Sequence, residues 1–312
     1  MPFSPPAHSR RLAFGALVLT MALWGSNGAV AKLVLPVYGA IPMTWMRWFI
    51  VMLLAAPFAW RERAEVGAAI RAHWRAIVLF TCLGGVPQSM VVFSGLADSS
   101  AVHLGLLNSA IPVVILGLGA AFFGHRFDGR ELVGVLIATA GVLVVLFHGS
   151  WNALAQLAIQ GGDLVMLAGM VLWALYTLKL NQRPARISIL AFLFLVAAAG
   201  LPLTLPVFLV ELSRTGLPRP DAAAVAGLLY MSAVPTIVST LTYAYAVARV
   251  GPAQAGVFIH LTPLFACLFA ALLAGEALYP YHAVGFLLVA GGAWLSCHRP
   301  APVLSSAPLQ AK

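Results

Sequence analysis

The chain has 312 residues, of which 62% are hydrophobic and 9% are charged, with a formal net charge of +9. Soluble domains carry roughly 25% charged residues, so this composition excludes a water-soluble globular fold and fits a chain that crosses a bilayer repeatedly. Basic residues of such chains gather on the cytoplasmic side, so the positive charge calls for no nucleic-acid partner.

In chain order, ten apolar segments are predicted, at 12–31, 41–60, 76–95, 101–123, 131–148, 162–181, 188–210, 222–247, 253–274 and 281–298. Each approaches the length of about 20 residues that an α-helix needs to cross the hydrocarbon core. Breakers separate them, among them Leu35-Pro36, the run GLPRP at 216–220, and Gly251-Pro252. The tails, MPFSPPAHSRR and RPAPVLSSAPLQAK, are rich in Pro and Ser and are expected to be disordered. A signal-peptide reading of Arg10-Arg11, the apolar run and Ala29-Val30-Ala31 is set aside, because segment 12–31 has a partner in 162–181.

That partnership is part of an internal repeat with an offset of about 151 residues. The stretch 112–144 lies over 263–295: Pro112 on Pro263, Gly124 on Gly275, Gly134 on Gly285 and Gly141 on Gly292. Gly105 and Gly256 extend the match, and Trp24 pairs with Trp173. With an N-terminus inside, about fourteen Lys and Arg face the cytoplasm, against Lys32, Arg214 and Arg219 outside. The expected fold is all-α, with ten transmembrane helices and both termini cytoplasmic. It comprises two five-helix repeats, 12–148 and 162–298, inverted because five is odd.

The motifs LWGSNGAVAK, MRWF, IPVVILGLGAAFFG, TPLFACLFAALLAGEAL and AVGFLLVAGGAWL, in this order, resemble the EamA-type family of the drug/metabolite transporter superfamily. The resemblance runs from about residue 12 to 298. It implies a ten-helix, inverted-repeat secondary carrier of amino acids or other metabolites, often an exporter, in the inner (plasma) membrane. One departure stands out: where the family commonly has a glutamate this chain has His125, while the repeat partner Glu276 is retained.

Polar groups inside a bilayer are costly and mark candidate sites. Trp24 and Asn27 share one face of their helix, as do Trp173 and Tyr176, and an aromatic beside an amide or hydroxyl suits a small organic solute. Packing between helices is the plain alternative. Gln88 and Ser239 are repeat-related, with Tyr243 near the latter. Gly105, Ser109 and Pro112 share a face, as do Gly256, His260 and Pro263. Each proline frees a carbonyl and is expected to kink its helix. His260 reads as a satisfied structural histidine or a proton relay. Arg47 lies inside segment two with no repeat equivalent; it either binds an anionic group or reaches lipid headgroups. Asp128 and Glu276 fall at helix ends, where they cap the following helix, although Glu276 is also a candidate for proton coupling.

The first functional expectation is outward transport, by alternating access, of a small polar metabolite such as an amino acid. The alternatives are an anion or nucleotide-sugar type exchanger using Lys32 and Arg47, and a membrane-embedded receptor or enzyme. The enzyme reading has no metal spacing, acid pair or nucleophile with its base to support it. Neither metal nor cofactor is expected. The expected partners are the substrate and the lipid bilayer; proton or ion coupling and oligomeric state are left open.

Overall fold

The computed structural model describes residues 7–99, 101–124, 129–150, 160–184, 186–274 and 279–297. Among the described residues the regular structure is entirely helical. In chain order the helices are α1 (Ala7–Tyr38), α2 (Ala40–Arg61), α3 (Arg63–Gly84), α4 (Val86–Ala97), α5 (Ala101–Phe123), α6 (Gly129–Leu146) and α7 (Gly161–Lys179). They continue with α8 (Ile189–Thr215), α9 (Ala222–Ser232), α10 (Ser239–Val250), α11 (Pro252–Val257), α12 (Leu261–Ala274) and α13 (Pro280–Cys297). Among the described residues, 8 stretches are long and apolar enough to cross a membrane: Ala40–Arg61, Arg63–Leu96, Leu106–Phe123, Gly129–Leu146, Gly161–Gln182, Ile189–Thr215, Ala222–Val250 and Pro252–Phe269. The protein is therefore an all-helical, multi-pass membrane protein. Helices are the natural solution because backbone N–H and C=O groups find no water partners in hydrocarbon.

Single glycines make two of the turns. Gly39, at φ 73°, links α1 to α2, and Gly251, at φ 86°, links α10 to α11 with Pro252 at the first helical position. The expected break at Leu35-Pro36 is not where α1 stops. Pro36 sits in its last turn, and the chain turns only at Gly39.

The stretch 61–75, expected to be a connection, is helical. His73 has non-helical angles (φ −134°, ψ 24°) and splits α3 into a foot and a span. In the foot Val66 and Ala69 are buried while Ile70 and Trp74 are exposed. Arg63, Glu65, Arg71 and Arg75 dilute the apolar signal here, so a hydropathy reading passes over an amphipathic helix.

Lipid removes the hydrophobic drive between helices, so packing depends on close approach. α6 and α13 make the most extensive helix pair, crossing through glycine. A Cβ at Gly134 would meet Gly292 O at 2.5 Å, and one at Gly141 would meet Gly285 O at 2.8 Å. The order 134 to 141 is matched by 292 to 285, so the two helices run antiparallel. A second reciprocity exists: α1 packs on α10 and α12, and α7 packs on α4 and α5. α2 lies along α8, where Trp45 stacks on Phe208 (4.4 Å) and donates from Nε1 to Leu201 O (3.2 Å).

Candidate functional site

Five of the ten candidate contact residues converge. Trp24 from α1 and Trp173 from α7 meet edge to face, with centroids 5.5 Å apart. Tyr176 stacks on Trp173 one turn along α7 (5.0 Å). Tyr243 from α10 tilts against Trp24 (5.3 Å) and Trp173 (6.0 Å). Trp24 Nε1–H donates to Ser239 Oγ at 2.8 Å, and the Ser239 hydroxyl donates to Pro235 O at 2.5 Å. Tyr176 and Tyr243 are buried, and the Trp24 and Trp173 rings are partly exposed.

Local structure positions each member. Residues 233–238 form a π-helical turn between α9 and α10, which shifts the register just before Ser239. Such turns recur at functional sites. Gly84, at the end of α3, leaves room for the Tyr176 ring: a Cβ there would fall 2.6 Å from Cγ of that ring. Three threonines complete the group. Thr177 and Tyr243 hydroxyls lie 3.2 Å apart, and Thr20 bonds Thr242 at 2.7 Å, tying α1 to α10 below the rings. The sequence reading missed these threonines. Thr20 lies one turn before Trp24 and Thr177 directly follows Tyr176, and that adjacency was the available signal.

Other candidates lie elsewhere. Gln88 is buried and donates from Nε2 to Gly169 O (3.1 Å), fastening α4 to α7. His260 is fully buried; Nδ1 faces Val257 O at 2.9 Å and Nε2 faces the Thr139 hydroxyl at 2.9 Å. A carbonyl can only accept, so Nδ1 carries a proton and Thr139 serves Nε2. Ser109 donates to Leu106 O (2.6 Å), and its own carbonyl lies against His260, so these two repeat-related residues do meet. Pro263 follows a 3₁₀ turn at Phe258–His260, while Pro112 lies inside the 23-residue helix α5. The Asn27 Oδ1 atom and the Arg47 Nε atom are buried without a hydrogen-bond partner. The side chain of Lys32 and the residues His125, Asp128 and Glu276 lie outside the described residues.

One polar cluster carried no sequence signal. His103 Nδ1 meets the Asp163 carboxylate at 2.7 Å, Ser99 donates to it at 2.5 Å, and the Gln160 backbone N–H donates at 2.8 Å. This joins the start of α5 to the start of α7. Beside it α4 and α7 touch backbone to backbone: a Cβ at Gly95 would sit 2.7 Å from Gly162 O.

A multi-pass helical bundle with an aromatic, hydroxyl-rimmed centre shared between its two halves is the architecture of a membrane transporter. The chain belongs to the EamA-like transporter family, whose model matches it twice, at residues 12–147 and 160–297. It is similar to a probable terminal-alkyne amino-acid exporter of Streptantibioticus cattleyicolor, at 26% identity over 92% of this chain and 94% of the relative. A probable amino-acid metabolite efflux pump of Escherichia coli is also 26% identical, over 89% and 92%. A protein of Pseudomonas aeruginosa is 31% identical over 88% and 91%. A solved crystal structure shares the fold with a TM-score of 0.75 at 17% identity, covering 94% of this chain and 97% of that one.

Proposed function

We propose that this transporter is a secondary carrier that moves a small polar metabolite, an amino acid or a related compound, out of the cell by alternating access. The observation that carries the reading is the aromatic cluster of Trp24, Trp173, Tyr176 and Tyr243. It draws on α1 from one matched region and on α7 and α10 from the other. A solute between these rings touches both halves, so rocking one half against the other changes its access. The indoles and phenols supply apolar faces, and Ser239, Thr177 and Asn27 supply hydrogen-bonding edges. The amino-acid class is supported by what the relatives in S. cattleyicolor and E. coli are named as exporting.

The proposed architecture has ten crossings, with α1 and α13 added to the 8 apolar stretches, in repeats 12–148 and 162–298 related by inversion. The reciprocal glycine pairs support it. Gly134 and Gly285 are repeat equivalents, as are Gly141 and Gly292, and each contacts the other's equivalent across an antiparallel pair. That is the contact a two-fold axis in the membrane plane would generate. We place the protein in the cell inner membrane with both termini cytoplasmic.

The test is flux of labelled L-amino acids from proteoliposomes loaded with the purified protein. Trp24→Ala and Tyr243→Ala are each expected to slow efflux at least tenfold while the protein still inserts. Efflux by these variants at the wild-type rate removes the cluster from the pathway, and no flux across the panel removes the amino-acid class.

A further inference from the structure

The structure holds a buried cation that has no carboxylate partner among the described residues. Arg47 is the eighth residue of α2, about 10 Å along the axis from the start of the helix at 1.5 Å per residue. Only 8% of it is exposed. No carboxylate pairs with it among the described residues, and its Nε is buried without a hydrogen-bond partner. Its guanidinium lies over the Phe93 ring, whose centroid is 5.8 Å from the guanidinium carbon. A cation–π contact of this length offsets only a small part of the cost of burying a guanidinium.

The Phe93 ring itself packs among apolar neighbours. Phe93 and Tyr230 pack on a cluster built from Val34, Met43, Leu228 and Met231, contributed by α1, α2 and α9. The Tyr230 hydroxyl meets Ser26 at 2.8 Å, and the residue after Ser26, Asn27, holds a further buried atom without a hydrogen-bond partner, its Oδ1. The Arg47 Nε is a donor and the Asn27 Oδ1 an acceptor. A fold that needed Arg47 only for packing has no reason to keep a charge there, since an apolar side chain of the same length fills the space at lower cost. Snorkelling does not account for it either, because a snorkelling arginine ends in an exposed guanidinium.

We infer that Arg47 is an anion subsite that takes the carboxylate of the transported solute, with Phe93 holding the plane of the guanidinium. This rests on the carrier reading above and narrows its substrate to carboxylate-bearing molecules. The guanidinium offers paired N–H donors that match the two oxygens of a carboxylate, a fit the point charge of lysine cannot reproduce. The repeat-equivalent segment 188–210 contains no Lys or Arg, so the subsite is present in one half and gives the solute's carboxylate end a single place to bind.

The experiment measures thermal unfolding of the purified full-length protein in detergent with three probes: L-phenylalanine, 3-phenylpropionate, which lacks the amine, and L-phenylalaninamide, which lacks the carboxylate. Both acids are expected to raise the wild-type melting temperature, and the amide is not. Arg47→Lys should weaken the acids' apparent affinity roughly tenfold, and Arg47→Met should abolish their effect. The empty Arg47→Met protein should melt at or above wild type, which shows that the charge serves the ligand and not the fold. The subsite is refuted if neither acid stabilises wild type, if the amide does so equally, if the effect survives in Arg47→Met, or if that variant melts well below wild type when empty. Failure of the carrier reading looks different: the acids still bind through Arg47, but no flux is seen in proteoliposomes.

Discussion

Trp24 makes its polar bond and its ring contacts to different partners, and this separates the residue's two roles. The indole N–H bonds Ser239, while the ring faces Trp173 and Tyr243. Trp24→Phe keeps a ring and loses the bond; Ser239→Ala loses the same bond from the other side. In a double-mutant cycle on detergent unfolding, the two changes should couple by about 1 kcal/mol, the usual net value of a hydrogen bond. Coupling near zero would mean the bond is not formed. His260 is the contrasting case. Both its nitrogens already have protein partners, so Thr139→Val, which strands Nε2, should cost about 1–3 kcal/mol of stability. A proton relay predicts instead that the variant keeps its stability and shifts the pH dependence of flux. The four aromatic candidates were legible because aromatics with hydroxyl or amide neighbours stand out within apolar runs. Phe93 was not, since nothing in the sequence distinguishes it from a lipid-facing phenylalanine until Arg47 is seen over its ring.

At the scale of elements, the glycines of α6 and α13 set how closely those helices approach. Gly141→Leu inserts a side chain where a Cβ alone would already meet Gly285 O at 2.8 Å. The pair must separate, at a cost of about 1–3 kcal/mol by analogy with overpacked cores, read as a lower melting temperature in detergent. Leucine at Gly15, where a Cβ meets nothing within 4 Å, should be nearly neutral by the same measurement. The repeat glycines were visible in the sequence as equivalents at a fixed offset. That each would contact the other's equivalent was not, because pairing depends on the axis relating the halves. The foot of α3 and the His103–Asp163 pair were equally illegible. The foot's charges hide it from an apolar window, and the pair joins residues 60 apart without a motif. Asp163→Asn removes the charge that His103, Ser99 and the Gln160 N–H converge on. Destabilisation by several degrees is expected, with His103→Asn giving a similar loss and the double variant no further one. Additive losses would show the two residues act separately.

For the whole molecule, the contacts between helix ends carry an argument about topology that composition alone makes only statistically. Arg249 Nε donates to Ser9 at 3.2 Å, which brings the end of α10 to the start of α1. Glu62 accepts from the Ser188 N–H at 2.7 Å, which brings the end of α2 to the start of α8. At the other end Tyr38 and Ala224 share a cluster, and His148 lies 5.3 Å from Tyr281. With α1 and α13 both crossing, every one of these pairs lands on a common side, and both termini fall on the side that holds Arg61, Arg63, Arg183 and Arg249. The proposed topology places that side in the cytoplasm, in line with the positive-inside rule. Reporter fusions after residues 62, 184 and 251 should therefore read inside, and fusions after 39, 98 and 217 outside. The fusion after 39 is decisive for α2, and together with a reporter on the N-terminus it is decisive for α1. An inside signal at 39, with 62 also inside, means that α2 does not cross; the proposed inverted five-helix halves then fail, and with them the reciprocal access of the proposed carrier mechanism. An inside signal from a reporter on the N-terminus together with an inside signal at 251 leaves an even number of crossings between the N-terminus and α11. In the proposed order the crossings of α7, α8, α9–α10 and α11–α12 separate α6 from α13, an even number, and this is what lets the antiparallel Gly134–Gly292 and Gly141–Gly285 contacts be symmetric partners and not a chance crossing of two small-residue helices.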